Sequence, residues 1–141
     1  YEKSVGRNAT LIMGLTPDTS GLLPEVDVQR LQEWGAAIRA KYGTPLYETS
    51  GEGNVLEITF DQPTTIDRVV IQEDITAGER VEEYSLEVLH NKEWVEVERG
   101  LGIGHKRIVQ FESFLGNGIR ITSHKYPGTP NIVRIAVYEK K

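Results

Sequence analysis

The chain has 141 residues, one domain's worth at roughly 100–200 residues per domain. Its 38% hydrophobic and 26% charged residues exclude a disordered chain, and 16 Lys+Arg against 21 Asp+Glu, a net charge of −5, exclude the basic stripe that a nucleic-acid binder needs. With 0 cysteines there is no disulfide scaffold, thiol nucleophile or cysteine metal site; no run approaches the ~18 apolar residues of a membrane span, and no charged-then-apolar leader is read at the start.

In chain order, Thr10-Leu11-Ile12-Met13 is a short apolar run that reads as a strand buried on both faces. Turn chemistry follows at Thr16–Gly21, through Pro17, Asp18 and Ser20. From Pro24 to Tyr42 the period is helical: Val28, Leu31, Gly35, Ile38 and Tyr42 fall on one stripe. Pro24 suits a helix start and Gly43 a left-handed cap, while Gly35 within the stripe leaves room for another backbone. One strand and one helix cannot bury their own apolar faces, so this segment must pack on something else.

From Thr44 onward the pattern is β. Val55–Phe60 alternates, with Leu56, Ile58 and Phe60 on one face. Further strands are expected at Ile66–Glu73, Tyr84–His90, Trp94–Val97, Arg107–Phe111, Ile119–Ser123 and Ile132–Tyr138, with Tyr84, Leu86 and Val88 on one face and Val133, Ile135 and Val137 on another. Asn91-Lys92-Glu93 reads as a hairpin connection. Short strands between Gly, Pro and Asn turns, with no helical period among them, predict an antiparallel β-sandwich or jelly roll. The fold class is thus mainly β, with one strand and one helix in front.

Two blocks carry a resemblance. The first is Ser4-Val5-Gly6-Arg7-Asn8-Ala9-Thr10-Leu11-Ile12-Met13, continuing through Pro17-Asp18 and Gly21-Leu22 to Asp27, Arg30-Leu31 and Gly35. The second is Thr64-Thr65-Ile66, Val69–Glu73, Gly78–Val81, Tyr84, Trp94 and Ile103–Ile108. Together they resemble the α-L-fucosidases of the glycoside hydrolases. The first block is similar to the last strand and closing helix of that family's catalytic (β/α) barrel, and the second to the galactose-binding-like, discoidin-type sandwich that follows it. The resemblance implies residues 1–43 as the tail of the barrel and 44–141 as the sandwich.

The sequence also departs from the family's pattern. Gly14 and Thr16 stand where the family usually has Asn and a Pro-rich turn, and only a short link, Thr44–Asn54, precedes Val55. Sugar-binding relatives of the sandwich often have a longer entry there. Retaining glycoside hydrolysis needs two carboxylates ~5–5.5 Å apart across the glycosidic bond. In fucosidases these come from earlier barrel strands, so the resemblance implies no catalytic residue in this chain and no turnover by it alone. The implied partners are the catalytic barrel of the parent enzyme and fucosylated or galactosylated glycans, with no nucleic acid and no membrane. The implied location is the bacterial periplasm or cell surface. No cofactor or metal is expected; the loop that would help hold a structural calcium is short here.

Residue by residue, chemistry is sparse. Glu73-Asp74 and Glu82-Glu83 are adjacent pairs whose side chains would point to opposite strand faces. Glu73 and Arg80 flank one loop and are read as an ion pair across it. His90, His105 and His124 are too widely spaced for a recognisable zinc motif. Gly100–Gly104 mimics a phosphate-cradling loop but leads into a strand rather than a helix. Asn8-Ala9-Thr10 matches a glycosylation acceptor but enters a predicted buried strand, and Trp34 and Trp94 are read as packing residues. Two loops suit a sugar, residues 74–79 and 123–131, and the candidate carbohydrate-binding residues are Asp74, Glu79, His124, Tyr126 and Asn131. Two other readings stand beside the fucosidase one: an independent carbohydrate-binding module, and a purely structural domain docked through Val28, Leu31, Ile38 and Tyr42.

Overall fold

The computed structural model describes residues 1–139. After helix α1 (Glu25–Tyr42) come six strands: β1 (Tyr47–Glu52), β2 (Val55–Glu73), β3 (Glu83–His90), β4 (Glu93–Gly100), β5 (Arg107–Lys125) and β6 (Asn131–Tyr138). They form a single antiparallel ladder in the order β1-β6-β2-β5-β3-β4. Two of them, β2 and β5, are 19 residues long and belong to both layers of a sandwich.

The layers follow from the register. The second half of β2, Arg68–Glu73, pairs with β6 on one side and with the start of β5 on the other. The first half, Val55–Thr59, pairs with Gly118–Thr122, the stretch of β5 that also carries β3. Between the halves the register shifts at Thr59/Thr64 and Ile66/Arg68, where the ladder turns its corner. Gly116 permits the turn: a Cβ there would run into a Val88 methyl.

The inner faces meet in one core. Val69, Ile71, Val109, Ile135 and Val137 come from one layer; Tyr84, Leu86, Val88, Ile119 and Ile121 come from the other. Phe60 at the corner stacks on Tyr47 at 4.0 Å between ring centres. The first layer is buried on its outer face too, where Val70, Ala136 and Tyr138 pack against Tyr42 and Ile108. That is why Val69-Val70-Ile71 is apolar without alternation, as expected of a strand covered on both sides.

Several expectations change. Thr10–Met13 forms no strand and lies exposed, Ile12 at 87%, because no neighbouring strand is there to receive its backbone. The supposed link 44–54 contains β1, whose alternation Tyr47, Thr49, Gly51 lacks the apolar content that signals a strand. Four of the expected strands merge into β2 and β5. Val133 does not share the face of Ile135 and Val137: a shift in register at Gln72/Glu73 turns Ile132 inward and leaves Val133 50% exposed. The expected hairpin forms but is one residue shorter, since Glu93 already pairs with His90 in β4 and only Asn91 and Lys92 turn, with positive φ of 49° and 70°. Gly43 is right-handed, φ −70°, and only adds an N–H bond to Arg39 O at 2.7 Å. Gly35 is approached by the Arg39 guanidinium of its own helix, not by another backbone.

Candidate functional site

The most unusual surface lies in residues 10–34. Leu11, Ile12, Met13, Leu15, Leu22, Leu23, Val26, Val28 and Trp34 are all exposed, and α1 has no buried residue. Met13 and Leu15 face Leu31 and Trp34 across a groove of about 570 Å³ that Asp27 and Arg30 border. The segment is shaped locally as the sequence implies. Asp18 Oδ1 accepts from Ser20 N at 2.8 Å and Leu22 N at 3.2 Å, and Gly21 takes φ 81°, so the chain reverses into the helix. Glu25 and Asp27 in the first turn and Arg39 and Lys41 in the last complement the helix dipole.

This arm is fastened to the sandwich at both roots. At one root, Asn8 N donates to Lys106 O at 2.9 Å and Ile108 N to Gly6 O at 2.8 Å, so residues 6–8 lengthen the first layer beyond β5. At the other, Tyr42 packs edge-on against Tyr138 at 5.7 Å, and the Tyr138 hydroxyl donates to Tyr42 O at 3.0 Å. Glu2 joins the two roots by accepting from Lys41 Nζ and Tyr42 OH, both at 2.5 Å. The Lys41 and Tyr42 hydrogen bonds hold the Glu2 carboxyl down at about 2. Burial, and then the bond to Glu2, push the Tyr42 phenol well above its ordinary range. Beneath this root lies a buried ion pair, Arg68 Nη2 to Asp67 Oδ1 at 3.2 Å, with the guanidinium 5.4 Å from the Tyr42 ring centre. Both line a second groove of about 750 Å³ between α1 and the corner.

Of the five residues proposed for sugar binding, the structure brings only Asp74 and Asn131 into contact, and Tyr126, Glu79 and His124 each have other surroundings. Asp74 and Asn131 come together: Asp74 N donates to Asn131 O at 2.9 Å, and Asn131 Nδ2 to Asp74 Oδ2 at 3.4 Å. Asp74 Oδ1 also accepts from Thr76 N at 3.0 Å and Thr76 Oγ1 at 2.7 Å, which lower the carboxyl's pKa. Tyr126 is 40% exposed on the β5–β6 loop, residues 126–130, whose Thr129 O accepts from Arg80 Nη1 at 2.9 Å. Glu79 is drawn away to the arm's root by Asn8 Nδ2 at 2.8 Å, and His124 Nε2 contacts Ser85 Oγ at 2.9 Å on β3.

The Glu73–Arg80 ion pair does not form. Glu73 is 3% exposed, and its carboxylate accepts backbone N–H groups instead: Arg80 at 2.6 Å, Val81 at 3.1 Å and Gly104 at 3.3 Å. One buried acid thus holds the β2–β3 and β4–β5 loops together, a role that spacing could not reveal because backbone donors leave no sequence signal. Trp94 packs under the Arg120 guanidinium at 4.5 Å, and Arg120 is clamped by Glu87 at 2.6 and 2.8 Å. The ground for discounting Asn8-Ala9-Thr10 as an acceptor also changes, since those residues are exposed, though the Asn8 amide is engaged.

A two-layer antiparallel sandwich with an appended helical arm is the class that fold and surface define. No family model matches the chain. Among sequences, a candidate α-L-fucosidase of Oryza sativa subsp. japonica is 28% identical over 86% of this chain and 30% of its own. Among solved structures, a candidate α-L-fucosidase of Bacteroides thetaiotaomicron VPI-5482 is 40% identical with a TM-score of 0.94, over 99% of this chain and 32% of that one. A glycoside hydrolase 29 family member from an unknown rumen bacterium is 29% identical with a TM-score of 0.82, over 99% and 27%. The relatives and structural neighbours of this chain are α-L-fucosidases of glycoside hydrolase family 29, matched over only part of their length, which is consistent with a C-terminal domain of such an enzyme. The chain spans about a third of the length of the relatives it matches.

Proposed function

We propose that this chain is the accessory end of a retaining α-L-fucosidase that removes terminal α-L-fucose from glycans. Residues 1–43 supply the last strand and helix of the catalytic barrel, and residues 44–141, a galactose-binding-like sandwich, brace it. The observation that carries this reading is the arm: its large apolar side chains lie exposed while the sandwich packs a complete core of its own. Burying one such side chain stabilises by roughly 1.5–3 kcal/mol, enough for several of them to seat a strand in a sheet. The carboxylate pair that breaks the glycosidic bond belongs to the barrel in this reading, and the chain's contribution is to close that barrel. The proposed location, inferred from the family resemblance alone, is a bacterial periplasm or cell surface.

The test is complementation. The parent's barrel, cut before the segment matching residue 1, is co-expressed with this chain and assayed on a nitrophenyl α-L-fucoside. The reading predicts a co-purifying pair that is active where neither part is. A truncated barrel that is fully active alone, or a chain that never associates with it, overturns the reading.

A second role, glycan contact at the rim, is favoured by the exposed Tyr126 on a loop that Arg80 and Asp74 hold in place. Titration with L-fucose, galactose and lactose should shift amides at 74–79 and 123–131, and Tyr126→Ala should abolish the shifts. No shift up to tens of millimolar removes the role.

A further inference from the structure

We propose that Asn8 is a positioning residue: it fixes the direction in which the apolar arm leaves the sandwich, so that the arm meets its partner in one orientation. The purpose rests on the docking reading above; the geometry stands on the sandwich alone. Residues 6–8 run as a short edge beside the start of β5, and at Asn8 the chain turns through φ 62°. Asparagine tolerates that left-handed conformation where most side chains do not. Its carboxamide then reaches two separate loops. Oδ1 accepts from His105 N at 2.7 Å, and Nδ2 donates to Glu79 Oε1 at 2.8 Å.

The seat is built rather than incidental. His105 follows Gly104, whose φ is 61° and whose missing side chain makes the space: a Cβ there would collide with the Asn8 carboxamide. The two loops that meet Asn8 are the same two that buried Glu73 ties together through Arg80, Val81 and Gly104. Ala9 N still bonds Ser4 O at 3.0 Å, and beyond it the exposed arm begins. Because Tyr42 anchors the arm's far end, fixing its exit at Asn8 leaves the intervening segment one direction to take.

With 0 native cysteines, spin labels can be placed at Ile12→Cys and Val133→Cys, both exposed, and their separation read by pulsed electron resonance on the whole chain. The expected result is one narrow distance distribution. Asn8→Gly keeps the left-handed backbone but removes both side-chain bonds, and should widen it at least twofold. Glu79→Ala should widen it less, and Glu79→Gln, which keeps an acceptor oxygen, should leave it narrow. A distribution as wide before substitution as after it, or one unmoved by both Asn8→Gly and Glu79→Ala, overturns the proposal. Failure of the docking reading shows differently: the distribution stays narrow in a chain that does not bind the barrel.

Discussion

The sandwich and the arm are built from similar amounts of Leu, Ile and Val per turn of chain, yet they treat them in opposite ways. In the sandwich Ile71, Leu86, Ile121 and Ile135 are at most 2% exposed; in the arm Ile12, Leu22 and Val26 are more than half exposed. The difference is one of partners. Each sandwich strand has a hydrogen-bonded neighbour and a facing layer, whereas the arm has neither and keeps only its two roots. An apolar run therefore shows what wants to be buried, and the rest of the fold decides whether it is.

The sharpest way to break that comparison is to make the same kind of cut on each side of it. Leu86→Ala should cost about 2–5 kcal/mol in chemical denaturation, because it opens a cavity among Tyr84, Val88 and Ile121. Ile12→Ala should change stability by less than about 0.5 kcal/mol, since it removes nothing buried. Equal costs would mean that the arm is packed after all.

A comparable effect is expected at the root that joins the two regions. Asp67→Ala leaves Arg68 buried without its carboxylate and should cost about 3–5 kcal/mol by the same measurement. Glu73→Ala strips three backbone donors of their acceptor and should cost about 1–3 kcal/mol, with faster amide exchange at Arg80, Val81 and Gly104. Retention of protection there would show that the loops hold without it.

The smallest expected effect is pH-dependent. Glu2 is held at about 2 in the folded chain against 4.5 ordinarily, so its stabilisation is fully present above pH 4.5 and is lost as pH falls through about 2. The pair with Lys41 is partly exposed, so Glu2→Gln should lower stability by less than about 1 kcal/mol at pH 7. Melting of both proteins across this range should show the difference shrinking toward zero near pH 2. A difference independent of pH would assign the effect to packing.

Much of the sandwich was legible in the sequence because half-buried strands alternate: Leu56, Ile58 and Phe60 marked the start of β2, and Tyr84, Leu86 and Val88 marked β3. What escaped was set by pairing rather than by composition. β1 carries Thr49, Ser50 and Gly51, and is a strand because β6 offers it an edge. The union of Val55–Phe60 with Ile66–Glu73 escaped because residues 61–65 between them carry no apolar alternation, and the ladder is interrupted there as it turns its corner. Of the rim residues, Asp74 and Asn131 were read on two different loops and the structure bonds them to each other, while Glu79, read beside Asp74, goes to Asn8. That bond links residues 71 apart and has no local signature.

The most direct measurement is amide hydrogen exchange of the chain alone and with the parent's barrel. The account predicts protected amides in β2, β3, β5 and β6 in both states, with residues 10–17 exchanging freely alone and becoming protected on mixing. Arm amides as protected as the sandwich's in the isolated chain, or unchanged by a bound barrel, would contradict it.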